Sequence, residues 1–249
     1  MAVGNYNWNW GIFSEPVSTG EPASYLDWML AGLNNTMILA LASSVIALLL
    51  GIAMGVLRCM PNRILASIGT VYVAVFRNVP VIVQLFAWYF VVPEILPTGI
   101  GTWIKQLPSM TQMMTLSVMC LGLYMGARVC EHIRAGISTL PRGQLNAATA
   151  LGLTLSQAYR YVLMPVALRL AVPPLTSEFV NVFKNSAVVS TIGLLDLSAQ
   201  SQQLAEYTGQ PYESFIAATL IYIVINWVVM IVMHQVERKT RLHGYIGSK

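Results

Sequence analysis

The sequence predicts an all-α integral membrane protein of about five transmembrane helices, and three observations predict it. Charged residues make up 10% of the 249-residue chain and hydrophobic residues 56%, with a mean hydropathy of +0.63. A soluble domain carries about 25% charged residues, so most of this surface meets lipid. Five stretches are apolar over the roughly 20 residues that a helix needs to cross a hydrocarbon core. Arg and Lys fall on alternate connections between those stretches, as the positive-inside rule describes.

Residues 1–28 read as an N-terminal interfacial tail. Glu15, Glu21 and Asp27 occur there, and no Lys or Arg precedes Arg58, so the positive n-region of a secretory signal peptide is lacking. Targeting then falls to the first crossing, which is retained. The membrane domain, residues 29–236, holds all five crossings. The first runs from near Met29 to Leu57. The second runs from Ile64 to Val92, interrupted at Arg77-Asn78-Val79-Pro80. The third runs from about Met110 to Ile133, the fourth from Val162 to about Phe183, and the fifth from Phe215 to Val236. Pro173-Pro174 and Glu178 lie inside the fourth, a polar interruption that faces protein or a water-filled path when it occurs at membrane depth.

Arg58 and Arg63 lie in the first connection, Arg134, Arg142 and Arg160 in the third, and Arg238, Lys239, Arg241 and Lys249 in the tail of residues 237–249. The other connections hold Lys105 against Glu94, Asp196, Glu206 and Glu213. This asymmetry places the N-terminus outside and the C-terminus in the cytoplasm. The outer connections, Pro93 to Ser109 and Asp196 to Glu213, are long enough to carry short structure.

Several chemistries are disfavoured. Cys59, Cys120 and Cys130 form no CxxC pair, and His132, His234 and His243 have no metal-ligand spacing, so no metal site is expected. No Ser/His, paired-Asp or metal constellation suggests catalysis. No basic run suggests nucleic-acid binding. There is no GxxxxGK[ST] phosphate loop, so the driving energy comes from another chain or from an ion gradient.

The connection of residues 138–165 is the most informative. Leu140 to Pro165 is too polar to span; Pro141 suits a first helical turn, Gln144 to Leu151 has helix-forming composition, and Gly152 would end it. Ser156 could cap a second helix leading into the fourth crossing. Ala147, Ala148 and Ala150 keep the short helix slim enough to lie in a groove of another protein. An amphipathic connector lying on the bilayer is the other reading, but its polar face should then be rich in Lys and Arg, and Arg142 is the one clear cation within the helix.

Asn146-Ala147-Ala148, Gly152, Val162 and Met164-Pro165 stand at the spacing of the EAA loop, and the segment resembles that loop of ABC importer permeases. Arg142-Gly143-Gln144 is similar to the polar amino-acid branch. So are Phe76-Arg77-Asn78-Val79-Pro80 with Val83-Gln84, Glu131-His132-Ile133-Arg134, Pro173-Pro174-Leu175-Thr176, Glu178-Phe179, Lys184-Asn185-Ser186 and Ile192-Gly193. The opening Trp-Asn-Trp-Gly-Ile-Phe and the Asn-Ala-Ala variant look like glutamate/aspartate permeases. Asn146 departs from the usual Glu of the family.

The resemblance implies a cytoplasmic coupling helix comprising Arg142, Gly143, Gln144, Asn146, Ala147, Ala148, Leu151 and Gly152. It implies two copies of a cytoplasmic ATPase subunit holding ATP and Mg, with no cofactor in this chain. It also implies a second homologous permease subunit or a second copy of this one, a periplasmic substrate-binding protein, an amino-acid substrate and the bacterial inner membrane as location. A self-sufficient ion-coupled secondary transporter is the competing reading, and paired broken helices in internal repeats would favour it.

Ionisable groups inside the crossings cost on the order of 3 kcal/mol or more at the bilayer centre, so they face a path or a partner. The residues taken as a substrate path are Arg77, Asn78, Pro80, Arg128, Glu178 and Lys184. Arg77 lies ~21 Å along the helix from Arg63 at 1.5 Å per residue, near mid-membrane. Arg128 either grips a substrate carboxylate or pairs with Glu131 one turn on. Glu178 and Lys184, six apart, share no helix face and need partners elsewhere. Arg169 lies near the cytoplasmic end and can snorkel.

Overall fold

In the computed structural model of the protein, residues 6–240 are described, apart from the Arg142 side chain. The tail cations Arg241 and Lys249, and His243, lie outside the described residues. The described chain is helical, with four helices long and apolar enough to cross a membrane, or five if one bent pair counts as a single span.

A 3-10 turn at Trp10–Ser14 precedes α1 (Tyr25–Cys59). Next come α2 (Arg63–Asn78) and α3 (Val81–Ile95), then the short α4 (Thr98–Lys105) in the predicted outer connection. The third long helix is α5 (Ser109–Ser138), followed by α6 (Arg142–Ala150). The fourth, α7 (Leu155–Ile192), contains a π turn at Tyr159–Leu163 and tightens to 3-10 at Ala187–Ile192. Finally, α8 (Leu197–Thr208) occupies the second outer connection and α9 (Pro211–Thr240) completes the described chain.

One sequence expectation is met and another corrected. The second crossing is interrupted where expected: α2 and α3 are bent by 103° at Val79-Pro80. Pro80 cannot donate a backbone hydrogen bond, and Gln84 Nε2 donates to the carbonyls of Phe76 and Val79 at 2.8 Å each. Pro173-Pro174, by contrast, lie within continuous helix.

The described chain divides into two compact units. One takes residues up to Ala42, Leu85–Val118 and Phe183–Trp227. Its core joins Ile12, Val17, Tyr25 and Met29 to Leu197, Leu204 and Ala218. The N-terminal segment is fastened there: Tyr6 Oη donates to Glu213 Oε2 at 2.6 Å and the Asn9 amide to Glu213 Oε1 at 2.7 Å. Asp196 caps α8, accepting from the Ala199 amide at 2.9 Å and from Tyr222 Oη at 3.3 Å.

The other unit takes Ser43–Gln84, Met119–Val182 and the chain from Val228. Here α1 and α5 meet backbone to backbone. A side chain at Gly51 would stand 2.5 Å from Val129 Cβ, and one at Gly55 2.8 Å from Ile133 Cβ. Gly51 and Gly55 form a GxxxG pair, which lets helices approach closely where lipid offers no hydrophobic drive. The most hydrophobic stretch of α9 is only 6% buried. Leu220, Ile223, Val224 and Trp227 are exposed on it, a surface suited to lipid or to another membrane subunit.

Asp196 generates a stability prediction. Burial pushes its carboxyl up to about 6 from an ordinary value of 3.8. The folded protein therefore keeps this proton to higher pH than the unfolded chain, and stability from Asp196 is present below about pH 4 and lost as pH rises through about 6. The loss is at most about 3 kcal/mol, at ~1.4 kcal/mol per unit. Asp196→Asn keeps the capping oxygen, so thermal unfolding of the detergent-solubilised variant should show no such fall and a Tm at neutral pH at least equal to that of the unsubstituted protein.

Candidate functional site: a charged cavity and an exposed short helix

Four residues of α5, at i, i+3, i+4 and i+7, share one helix face: Arg128, Glu131, His132 and Ala135. They line a cavity of about 310 Å3 together with Arg77 from the end of α2 and Glu178 from α7. Of the six residues predicted as a substrate path, the fold therefore brings three together: Arg77, Arg128 and Glu178. Asn78 and Pro80 lie at the bend but are not among the lining residues. Lys184 is exposed on the part of α7 assigned to the other unit.

Glu178 is the enclosed member, its side chain 7% exposed. Arg128 Nε donates to Glu178 Oε2 at 2.6 Å and a terminal Arg128 nitrogen to Oε1 at 3.2 Å, a bidentate clamp. His132 Nε2 lies 2.9 Å from the same Oε1. The pairing of Arg128 with Glu131, one of the two readings of the sequence, is not among the described ion pairs. A carboxylate this enclosed needs a counter-charge, and Arg128 supplies it across helices.

Glu131 has other partners. Arg58, at the end of α1, donates to its Oε1, and Arg134 approaches Oε2 at 3.1 Å. Arg77 reaches Oε2 only at 3.9 Å, with a side chain 54% exposed. Glu131, His132, Arg58 and Arg134 were not chosen from sequence, although the α5 face spacing and the Glu131/Arg134 i,i+3 pair were available signals.

The second region is α6. Pro141 precedes it, and it closes in a Schellman arrangement: the Leu153 amide donates to Ala148 O at 3.2 Å, with Gly152 at φ +85°. Positive φ is easily adopted only by glycine, so the sequence expectation for Gly152 is met. The following helix is capped by Thr154 rather than Ser156. Gln157 N donates to Thr154 Oγ1 and Thr154 N to Gln157 Oε1, a capping box legible as Thr-x-x-Gln.

Gly143, Asn146, Ala147, Ala150, Leu151 and Gly152 are exposed, and Gln144 is half-buried. Ala148 is buried, so the alanines divide between an inner and an outer face instead of forming one slim surface. Leu151 is 84% exposed, an apolar knob beside a flat stretch of small residues.

Comparison with known proteins gives consistent results. A family model described as "Binding-protein-dependent transport system inner membrane component" matches residues 47–242. The glutamate/aspartate import permease protein GltJ of Escherichia coli (strain K12) is 52% identical over 98% of this chain and 99% of its own length. The arginine transport system permease protein ArtQ of Bacillus subtilis (strain 168) is 32% identical, covering 87% of this chain and 94% of its own. Among solved structures, an amino acid ABC transporter crystallised with histidines superposes with a TM-score of 0.72 at 30% identity, over 86% of this chain and 95% of that one. A subunit of the MetNI methionine ABC transporter shares the fold, with a TM-score of 0.71 at 19% identity.

The ion pairs differ in consequence. Glu94 and Lys105 pair at 2.7 Å with both side chains well exposed, and such pairs contribute about 0–1 kcal/mol. Arg58 is 14% exposed, so Glu131→Gln strands a largely enclosed cation, a change that costs roughly 3 kcal/mol when burial is deep. Glu131→Gln should lower the Tm of the solubilised protein by several degrees, while Glu94→Gln should leave it within about one degree.

Proposed function

The chain belongs to the family of binding-protein-dependent transport system inner membrane components, and from that premise we propose that this membrane permease subunit imports an acidic amino acid, glutamate or aspartate. The guanidiniums that line the cavity, Arg77 and Arg128, carry this reading. Arg77 stands 3.9 Å from Glu131 with its side chain 54% exposed, so its charge can be met by a solute's side-chain carboxylate, which a neutral or cationic amino acid lacks. The 52% identity to a glutamate/aspartate permease supports the same substrate class.

The family implies an ATPase and a binding protein as partners. In the proposed assembly, two ATPase copies hold ATP and Mg, and each receives the exposed face of an α6 helix. A second permease, homologous or identical, completes the path. The outer connections bearing α4 and α8 receive the binding protein, with the N-terminus outside and the C-terminus in the cytoplasm. Arg77, Arg128 and Glu178 line the path, with Asn78, Pro80 and Lys184 as further members. Closure of the ATPases around ATP would move the α6 helices as rigid bodies. The ion-coupled secondary transporter is not favoured, because the family works with separate binding and energising components.

Two measurements test this. Arg128→Gln should abolish glutamate uptake by the reconstituted complex while the subunits still co-purify; undiminished uptake would refute the substrate role. Leu151→Asp should cut uptake at least about tenfold and weaken ATPase co-purification, because an apolar anchor at an interface centre is worth 2 kcal/mol or more. Normal uptake with Leu151→Asp would remove α6 from the ATPase interface.

A further inference from the structure

Glu178 blocks the residue best suited to hold a substrate carboxylate. Both of its oxygens are engaged: Oε2 by Arg128 Nε, Oε1 by Arg128 and by His132 Nε2. The fork of Arg128 is thus occupied, and an incoming carboxylate can take it only if Glu178 moves. With its side chain 7% exposed, Glu178 needs a counter-charge wherever it moves, and His132 already touches it.

We propose that the cavity takes up a proton with its acidic substrate: the substrate carboxylate replaces Glu178 on Arg128, and Glu178 is retained by His132, which becomes protonated. The proposal rests on the acidic-substrate reading above. The only covalent change is one N–H bond formed on the imidazole with a proton from solvent. The substrate brings one net negative charge and the proton one positive, so the net charge of the enclosure is unchanged, which matters where an uncompensated charge is costly. Neutral His132 offers Glu178 a single hydrogen bond, whereas the imidazolium offers a counter-charge as well.

The charged and titratable groups around His132 are few. Glu178 faces it from α7, Arg77 from α2, and Arg128 and Glu131 from its own helix, with Tyr124 beside Arg128. Glu131 is taken by Arg58 and Arg134, which leaves Glu178 as the carboxylate for His132. His132 is therefore a positioning residue: it acts on the substrate through Glu178 and Arg128.

The test is equilibrium binding of radiolabelled L-glutamate to the solubilised complex of this chain with its partner permease and ATPase, from about pH 6 to 8.5, where the carboxylates of glutamate stay ionised. The Kd of the unsubstituted complex should rise toward about tenfold per pH unit at the alkaline end, the slope for one linked proton. A pH-indicator dye in weak buffer should report uptake of one proton per glutamate there. His132→Asn should flatten the slope. Glu178→Gln should flatten it too and bind more tightly than the unsubstituted complex at pH 8.5, because Arg128 is then free.

A slope retained in His132→Asn overturns the exchange, as does glutamate binding by the unsubstituted complex with no pH dependence and no proton uptake; both leave the acidic-substrate reading standing. Binding of neutral polar amino acids with none of glutamate or aspartate overturns that reading and the exchange with it. If His132→Asn fails to fold, the dye measurement and Glu178→Gln still decide.

Discussion

Glu131 joins three helices that would otherwise each carry an uncompensated guanidinium. Arg58 comes from the end of α1, Arg134 from α5 itself and Arg77 from the end of α2. In lipid there is no hydrophobic drive to gather helices, so their meeting here depends on close backbone approach at Gly51 and Gly55 and on this shared carboxylate. The grip is unequal. Arg58 is held hard and is largely enclosed, while Arg77 is distant and exposed. That gradient leaves Arg77 as the cation of the cavity with the most of its charge unspent.

The same carboxylate connects the cavity to the surroundings of α6. Arg58 and Arg134 also line a second cavity, about 320 Å3, whose other walls include Cys59, Leu140, Pro141, Leu145 and Tyr159. Tyr159 Oη donates to Cys59 O at 2.5 Å, tying the start of α7 to the end of α1. Between α5 and α7 the chain has little slack: Pro141 opens α6, a Schellman turn closes it, and the Thr154 capping box begins the next helix. Short connections therefore tie α6 to the helices that hold the two guanidiniums on Glu131, a contiguous packed network of the kind that can carry coupling.

The crossings, the bend at Pro80, the short α6 and its end at Gly152 were legible because each rests on local chemistry: hydropathy over a span, a missing donor, a positive φ. The GxxxG of α1 and the capping box of Thr154 were equally legible and went unread. The ion pairs between helices were not. Arg128 has Glu131 within one turn, and spacing alone favours that local pair. Its actual partner, Glu178, lies fifty residues on, and its choice depends on which carboxylate the packing encloses. The continuity of α7 through Pro173-Pro174 was hidden for a similar reason, since tertiary context overrides local propensity.

The Arg128–Glu178–His132 group is a poor device for holding α5 against α7. Replacing an enclosed ion pair by apolar side chains of similar volume is often neutral or stabilising by roughly 1–4 kcal/mol, and α9 shows that this chain has no shortage of apolar residues for such faces. What a paired charge offers, and a leucine does not, is exchange: one carboxylate can leave a guanidinium for another at little net cost, provided its own charge is met elsewhere. Glu178 sits where that condition is testable, between an arginine and a histidine that both line the cavity and both touch it. Its enclosure gives the arrangement a direction, because a displaced carboxylate keeps the partner it already touches, and that partner is His132.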